Sequence, residues 1–334
     1  MTDSSAAIRE LSLEALGREI QEVRERLNRF RTGLGRFFVD RQPVIDLMTI
    51  SAIAQEPLLL VGAPGTAKSE LVTKFRDAMQ VPVGDYFEYM LTRFTEPSEI
   101  IGPIDIRELK EGRYLRRVHG KLPTARLVFL DEIFKSSSAI LNTLLTIINE
   151  RKFYQDGVAV PVDLEILFAA TNQIPDLDEL AALKDRFCLK VRCNSVADSH
   201  FLELLDAGLD ARAQREANQA PWAEGHASRE DFLKAHRYLT LLMAEREPRD
   251  RSRYFGDALV GELRRLIKTL TREDGVVISD RRIIKLYRLI RTRAWLLRGG
   301  KVERDDLGLL AHVGERGEDL ELLAAKVPKL LGLS

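Results

Sequence analysis

The spacing of apolar residues near the start of the chain is that of a helix. Apolar residues recur at steps of four and three positions, which places them on one helical face, while the opposite face is charged. The apolar positions are Leu16, Ile20, Val23, Leu27 and Phe30. The pattern is short for a coiled coil. It therefore predicts an amphipathic helix within residues 1–36 that packs on its own domain.

From Val44 to about Val191, short apolar runs alternate with helical stretches. This alternation is typical of a parallel α/β sheet. A strand covered on both faces should be apolar throughout, and several of these runs are. The pair Asp156-Gly157 lies between β-prone residues and predicts a hairpin over Tyr154–Val162. The predicted sheet strands are Leu58–Val61, Tyr86–Leu91, Leu127–Leu130, Glu165–Ala170 and Leu189–Val191.

The last third of the chain reads as helical. Residues Leu209–Ser228 are rich in Ala, Arg, Gln and Glu and contain Pro221 and Gly225, which favours a linker. The Arg-rich stretch Arg246–Arg253 is interpreted as a solvated connector. The predicted helices are Phe232–Glu245, Phe255–Leu270, Arg281–Arg298 and Leu307–Leu310. The predicted division is an N-terminal helix (1–36), an α/β core (37–208), a linker (209–229) and a helical domain (230–334).

Composition narrows the classes of function. With 334 residues, 45% of them apolar and 31% charged, the chain is typical of a soluble globular protein of two domains. Lysine plus arginine and aspartate plus glutamate both number 51, so the formal net charge is zero. That balance argues against a surface devoted to nucleic acid, although a local basic patch could survive it.

Location is predicted from three absences in the sequence. No uncharged apolar run approaches the roughly 20 residues of a membrane span. The start, MTDSSAAIRE, lacks the apolar segment of a secretory signal. Cys188 and Cys193 are the only cysteines, and their spacing fits neither a zinc site nor a redox pair. We therefore expect a cytoplasmic protein.

The most specific motif is a glycine-rich loop between a strand and a helix. The sequence Gly62-Ala-Pro-Gly-Thr-Ala-Lys68-Ser69 has the spacing of a P-loop. Backbone N–H groups of such a loop wrap the β-phosphate of ATP, the lysine neutralises the β- and γ-phosphates, and the serine hydroxyl ligates Mg²⁺. Ala67 stands where glycine is usual, and its single added methyl group should be tolerated if the φ of this residue is negative. The predicted ATP-binding residues here are Gly62, Ala63, Pro64, Gly65, Thr66, Ala67, Lys68, Ser69, Glu70 and Leu71.

Polar residues follow two of the later strands. The run Leu127–Leu130 ends in Asp131 and Glu132. Downstream of a P-loop, Asp131 is expected to hold Mg²⁺ through its water shell and Glu132 to polarise the attacking water. The strand Glu165–Ala170 is followed by Asn172, whose amide could position that water, although alone it would indicate only a turn.

Together these motifs resemble those of AAA+ ATPases, and their exact residues are similar to those of the MoxR family. The resemblance is carried by GAPGTAKS, by TRFTEPSEIIGP over residues 92–103, by FLDEIFK, and by AILNTLLTIINERKF over residues 139–153. Within the family, the runs at 93–102 and LNTLL look closest to the RavA branch. The resemblance covers residues 37–191 densely and 279–306 thinly. It implies an α/β fold with an αβα AAA+ core, a β-hairpin before the Asn172 strand, and an all-α lid.

The same resemblance implies roles for further residues. Asn172 matches the sensor-1 residue, and Arg186, in Lys184-Asp-Arg-Phe, matches the arginine finger that reaches a neighbouring subunit's nucleotide. Arg281 matches sensor 2, although the adjacent Arg282 leaves that assignment open by one position. Phe38, Val39 and Arg41 match the segment that flanks the adenine. The predicted catalytic residues are Lys68, Glu132, Asn172, Arg186 and Arg281, with Arg281 also binding ATP.

The function that the resemblance implies is Mg²⁺-dependent ATP hydrolysis by a ring, expected to be a hexamer. Such a ring would remodel or mature substrate proteins with a von Willebrand factor A (vWA) domain partner. One alternative is a nucleic-acid motor, but the hairpin tip carries no basic residue, and Arg151 and Lys152 lie only at its base. A nucleotide-switched scaffold ranks lowest, because Glu132 is present.

Overall fold

The structure, a computed structural model, describes residues 2–244 and 252–333, with side chains from residue 16 onward. Seven strands lie in these ranges: β1 Leu58–Val61, β2 Tyr86–Met90, β3 Leu127–Asp131, β4 Lys152–Gln155, β5 Val158–Pro161, β6 Ile166–Thr171 and β7 Leu189–Arg192. Five of them form one parallel sheet in the order β2-β3-β6-β1-β7, and β4 and β5 form a separate antiparallel hairpin. The predicted strands and hairpin are confirmed within two residues.

The main helices alternate with the strands and then dominate the last third of the chain. They are α1 Thr2–Gly35, α2 Gln42–Ala54, α3 Lys68–Ala78, α4 Pro97–Ile101, α5 Ile106–Lys110, α6 Ser138–Glu150, α7 Ala181–Lys184, α8 Phe201–Glu216, α9 Arg229–Ala244, α10 Asp257–Asp274, α11 Asp280–Arg298 and α12 Gly317–Leu331. A 3₁₀ helix over Arg304–His312 connects the last two. No helix within the described ranges is long and apolar enough to cross a membrane.

Both faces of the parallel sheet are covered, which explains its apolar strands. Side chains alternate along β1, so that Leu58 and Leu60 join the core formed with α1, α2 and α3. Leu59 and Val61 join a second core, on the side of α6. All four are buried, as parallel strands between two helical layers require. The result is an αβα sandwich.

Helix α1 is amphipathic and packs on the rest of the chain, as its spacing predicts. Ile20, Val23, Leu27 and Phe30 are all buried. The ring of Phe30 meets those of Phe75 and Phe232 edge to face, with centroids 4.9 and 5.3 Å apart. The helix therefore joins α3 of the sandwich to α9 of the helical region.

The helical region is tied to the sandwich by a buried ion cluster. Glu56, between α2 and β1, is 6% exposed, and its carboxylate lies 2.8 Å from both Lys285 and Arg288 of α11. Because unpaired burial of this carboxylate would be costly, the two cations fix α11 against the start of β1.

The predicted linker is not an extended connector. Helix α8 runs from Phe201 to Glu216 and crosses the boundary placed at residue 208, and a 3₁₀ turn follows at Pro221–Glu224. None of the side chains of α8 is buried, although leucines recur along it at helical spacing. The domain limits stay predictions. Of the stretch Arg246–Arg253, interpreted as a solvated connector, residues 246–251 lie outside the described residues.

Candidate nucleotide-binding site

The glycine-rich loop lies at the carboxyl edge of the sheet, between β1 and α3. A Cβ on Gly62 would lie 2.4 Å from the carbonyl oxygen of Cys193, so only glycine fits there. Gly65 has a φ of 81°. Lys68 begins α3, and its ammonium donates to the carbonyls of Gly62 and Ala63 at 2.6 and 2.9 Å. The loop thus presents a helix N-terminus and one held cation at the same place.

The φ of Ala67 is positive, so the condition under which the sequence predicts that alanine is tolerated here is not met. Ala67 is the N-cap of α3 and has φ 63° and ψ 20°, in the left-handed region. An L-residue other than glycine pays about 1–2 kcal/mol for that conformation. The loop must turn into the helix at this residue, which is why glycine is usual there, and Ala67 stores strain at the site.

Two oxygen-bearing side chains meet beside the loop. The hydroxyl of Ser69 lies 3.5 Å from Oδ2 of Asp131, at the carboxyl end of β3. The other carboxylate oxygen of Asp131 accepts a 2.8 Å hydrogen bond from the N–H of Glu132, which holds the group in place. Mg²⁺ prefers such hard oxygen donors, one or two from the protein and the rest from water and phosphate. The donor set fits the predicted metal.

Asn172 connects the acidic end of β3 to the loop lysine. Its amide donates to Oε1 of Glu132 at 2.6 Å, and its carbonyl oxygen lies 3.5 Å from the Lys68 ammonium. The same Glu132 oxygen is 3.0 Å from Lys135. Glu132 itself has a φ of 53°, in the left-handed region that residues other than glycine adopt infrequently. The pairing of β6 with both β1 and β3 brings these groups together.

A cavity of about 270 Å³ opens next to the loop. Its lining includes nine of the predicted ATP-binding residues: Phe38, Val39, Arg41, Ala63, Pro64, Gly65, Thr66, Ala67 and Glu70. Gly62 lines an adjoining cavity. The side chain of Leu71 is buried in the apolar core instead. A small apolar chamber joined to a phosphate loop suits a purine base.

One wall of this chamber is formed by residues that the sequence motifs do not predict. Four residues on one face of α8 line it: Leu204, Ala207, Gly208 and Ala211. The sequence feature that could have predicted this wall is the helical spacing of the small residues Ala207, Gly208 and Ala211, at steps of one and three. Small side chains at those positions leave space beside Phe38.

A second, wider cavity of about 740 Å³ lies on the far side of Glu132. Glu132, Lys135 and Asn172 line it together with Arg93 and Glu179. Glu132 therefore lies between the loop and open space, where a water and a further charged group could approach it.

The structure does not bring Arg186 or Arg281 to the chain's own loop, and neither lines the two cavities described above. The guanidinium of Arg186 pairs with Asp185 at 2.9 Å, and Asp185 also accepts from the Ser279 hydroxyl at 2.8 Å. Burial lowers the pKa of Arg186, and repulsion from Arg281 lowers it further, against the attraction of Asp185. The two arginines thus lie near each other, on a different part of the molecule.

The choice between Arg281 and Arg282 is informed by burial. Arg282 is fully buried, and its guanidinium donates to the carbonyls of Val277 and Val313 and to the carboxylate of Glu315. Arg281 is exposed. Arg282 therefore holds the helical region together, and Arg281 is the one of the two that is available to a ligand.

Comparison with known protein families identifies both regions of the chain. A family model described as the MoxR domain of MoxR–vWA–β-propeller ternary systems matches residues 25–228. A model of an AAA lid domain matches residues 257–321. The sandwich and the helical region thus correspond to an AAA+ core and its lid, as the resemblance implies.

Individual relatives extend over most of the chain. The uncharacterized proteins MJ0079 and MJ0812 of Methanocaldococcus jannaschii are 30% and 31% identical; they match 92% and 86% of this chain, which spans 75% and 70% of their lengths. Chaperone MoxR1 of Mycobacterium tuberculosis is 25% identical over 47% of this chain and 41% of its own.

One solved structure shares the fold of nearly the whole molecule. It comes from Cytophaga hutchinsonii and is provisionally described as an ATPase; the match has a TM-score of 0.70, covers 96% of each chain and has 16% identity. The assignment to the RavA branch stays a prediction. With the P-loop, the acidic end of β3, the hairpin and the lid in place, and with a family model over residues 25–228, the chain belongs to the MoxR family of AAA+ ATPases.

Proposed function

We propose that this chain hydrolyses Mg²⁺-ATP at the carboxyl edge of its sheet and uses the energy to remodel other proteins. The observation that carries the proposal is the position of Asn172 between Glu132 and Lys68. The amide of Asn172 lies within hydrogen-bonding reach both of a carboxylate that can orient water and of a phosphate-binding cation. Chemistry on a γ-phosphate needs that combination.

Each residue of the site has a distinct task in this scheme. Lys68 neutralises charge on the β- and γ-phosphates, and Ser69 and Asp131 hold the metal. Bound Mg²⁺ supplies further positive charge to the phosphate oxygens. Glu132 orients the attacking water through the oxygen that Asn172 fixes, and Asn172 exchanges this bond for one to the γ-phosphate.

Assembly into a ring would bring the arginines of one copy to the nucleotide site of the next. Arg186 and Arg281 lie apart from their own chain's loop, so within this proposal they serve the site of the adjacent copy. A guanidinium meeting the charge that develops on a γ-phosphate accounts for large accelerations in other NTPases. A hexamer in the cytoplasm is the arrangement expected for the family, and two free, buried thiols suit a reducing compartment.

Protein remodelling is favoured over movement along nucleic acid by the hairpin. The tip residues of β4–β5 expose Tyr154 and Val158 rather than basic groups. At its base, Arg151 donates to the carbonyl of Gln55 at 3.2 Å and Lys152 pairs with Glu150 at 2.7 Å. Both cations are thus engaged within the chain. The description of the matching family model supports a vWA protein as the partner.

Phosphate release tests this proposal. Purified protein should hydrolyse ATP only with Mg²⁺, and DNA should not stimulate hydrolysis. Lys68→Ala should abolish tight ATP binding, because the ground state and the transition state both lose a cation that contacts the phosphates. Lys152→Ala is the matched control, since that lysine pairs with Glu150 at the hairpin base, and it should keep wild-type rates. Magnesium-independent turnover, or stimulation by DNA of tenfold or more, would contradict the proposal.

A further inference from the structure

The wall of the nucleotide chamber carries a hydrogen-bond acceptor and a donor side by side. Among the described residues, three charged side chains line the chamber: Arg41, Glu70 and Lys74. Arg41 donates to the backbone carbonyls of Asp40 and Asn194. Glu70 and Lys74 are one helical turn apart on α3, and the ammonium lies 2.9 Å from the carboxylate of Glu70. A ligand in the chamber therefore meets an acceptor and a donor at adjacent positions.

Lys74 is buried to a degree that is rare for lysine. Its side chain is 7% exposed, whereas that of Glu70 is 45% exposed. Its nitrogen lies 4.8 Å from the ring centroid of Phe38 and 4.5 Å from that of Trp222, and both rings favour a cation there. Within the described part of the chain Glu70 is its only ion-pair partner, so N–H groups of the ammonium remain for a ligand.

The position of Lys74 on α3 separates it from the phosphates. Lys68 begins the helix at the glycine-rich loop, and Lys74 comes six positions later. That spacing corresponds to about 9 Å along the helix axis. The part of a nucleotide that lies beyond its phosphates and its ribose is the base. The chamber beside Lys74 is therefore where the edge of the base would meet a charged pair.

The edge of adenine complements this pair. Adenine carries an amino group, which donates, next to a ring nitrogen, which accepts. The carboxylate of Glu70 can accept from the amino group while the ammonium of Lys74 donates to the ring nitrogen. In guanine a carbonyl oxygen replaces the amino group, and in the same pose it would face the carboxylate.

We propose that Lys74 and Glu70 recognise the base of the bound nucleotide and select adenine over guanine. Lys74 donates to N1 or N7, the two ring nitrogens that flank the amino group, and Glu70 accepts from the amino group itself. The inference rests on the proposed function for the presence of ATP in the chamber. It adds a specificity-determining residue, Lys74, that the sequence motifs do not predict.

Calorimetric titration with Mg²⁺-ATP and with its 1-deaza, 3-deaza and 7-deaza analogues tests the role of Lys74. Each analogue has a carbon in place of one ring nitrogen. Wild type should bind the 1-deaza or the 7-deaza analogue about tenfold or more weaker than ATP, the loss expected for one hydrogen bond from a charged donor. It should bind the 3-deaza analogue within about threefold of ATP, because N3 does not flank the amino group.

The variant Lys74→Met keeps the length of the side chain and removes the donor. It should bind ATP more weakly than wild type does, and bind the discriminated analogue within about threefold of ATP. Lys268→Met is the control, because Lys268 is exposed on α10, and it should discriminate as wild type does. Discrimination that persists in Lys74→Met would mean that Lys74 only supports the chamber wall, and would overturn the proposal. A wild type that binds all three analogues as tightly as ATP would also overturn it.

Glu70→Gln supplies an independent test at a partly exposed position, where the fold should tolerate the change. Wild type should prefer ATP to GTP by about tenfold or more, and this variant should lose most of that preference, because an amide can also donate to the carbonyl oxygen of guanine. An unchanged preference would overturn the role of Glu70. A wild type that discriminates among the analogues but does not release phosphate would refute the proposed function alone; a wild type that binds no ATP would refute both.

Discussion

Replacing Arg282 should destabilise the lid, whereas replacing Arg281 should stop catalysis without altering stability. The guanidinium of Arg282 is fully buried and donates to two carbonyls and to the carboxylate of Glu315. Arg282→Ala removes these bonds together and leaves their acceptors without the donor. Because the guanidinium is fully buried while Glu315 is partly exposed, the loss of these bonds should cost about 2–4 kcal/mol, a large share of the roughly 5–15 kcal/mol that stabilises a typical domain.

The comparison with Arg281 makes this prediction discriminating. Arg281 is exposed, so Arg281→Ala should change the free energy of unfolding by about 0.5 kcal/mol or less. Arg282→Lys keeps the charge but reaches fewer acceptors, and should fall between the two. Urea unfolding followed by circular dichroism measures the stabilities, and phosphate release measures the turnover of each folded variant.

One pattern of results would refute the reasoning. If Arg282→Ala unfolds at the wild-type urea concentration and yet loses turnover, Arg282 is the ligand-sensing residue and its buried contacts contribute little. If Arg281→Ala destabilises the protein by more than 2 kcal/mol, the assignment of the two arginines is reversed.

Three further predictions use other features of the structure. Ala67→Gly should retain ATP binding and change the free energy of unfolding by less than about 1 kcal/mol, because relief of the left-handed strain is offset by the flexibility of glycine, whereas Ala67→Val should lose ATP binding measured by calorimetry. Burial, with repulsion from Arg282, lowers the pKa of Lys190 to about 7. Because the unfolded chain keeps that proton up to the ordinary lysine range near pH 10, the free energy of unfolding rises with pH between about 7 and 10. Lys190→Met should therefore stabilise the protein most at pH 7 or below, and progressively less at higher pH, as measured by urea titrations. Arg186→Ala and Glu132→Gln should each be nearly inactive alone, and mixing them should partly restore phosphate release; with subunit exchange demonstrated, no recovery at any ratio would count against action between copies.

The sandwich was predictable because its signals are local. A strand covered on both faces must be apolar, so the apolar runs Leu58–Val61 and Leu127–Leu130 are recognisable as strands. The residues Gly62 to Ser69 are recognisable because binding of a phosphate requires these residue types at this spacing. The acidic end of β3 is likewise a sequence signal. The proximity of this acidic end to Asn172 could not be predicted from the sequence, because it depends on the order in which the strands pair.

The remaining features depend on tertiary contacts. Helix α8 buries no side chain, and from Leu209 onward its residues have the Ala-, Arg-, Gln- and Glu-rich composition of a linker. Arg281 and Arg282 are adjacent in one motif, and only burial separates the one that holds the lid from the one that is exposed. The positive φ of Ala67 follows from the path of the loop into α3, which its side chain does not reveal.

Phosphate release by Glu132→Gln tests the central claim most directly. This variant keeps the shape of the side chain and removes the charge that orients water, so ATP affinity should stay within threefold while turnover falls by about 100-fold or more. Glu179→Gln is the matched control, because Glu179 lines the same cavity, and it should turn over normally. Wild-type turnover by Glu132→Gln would contradict the account.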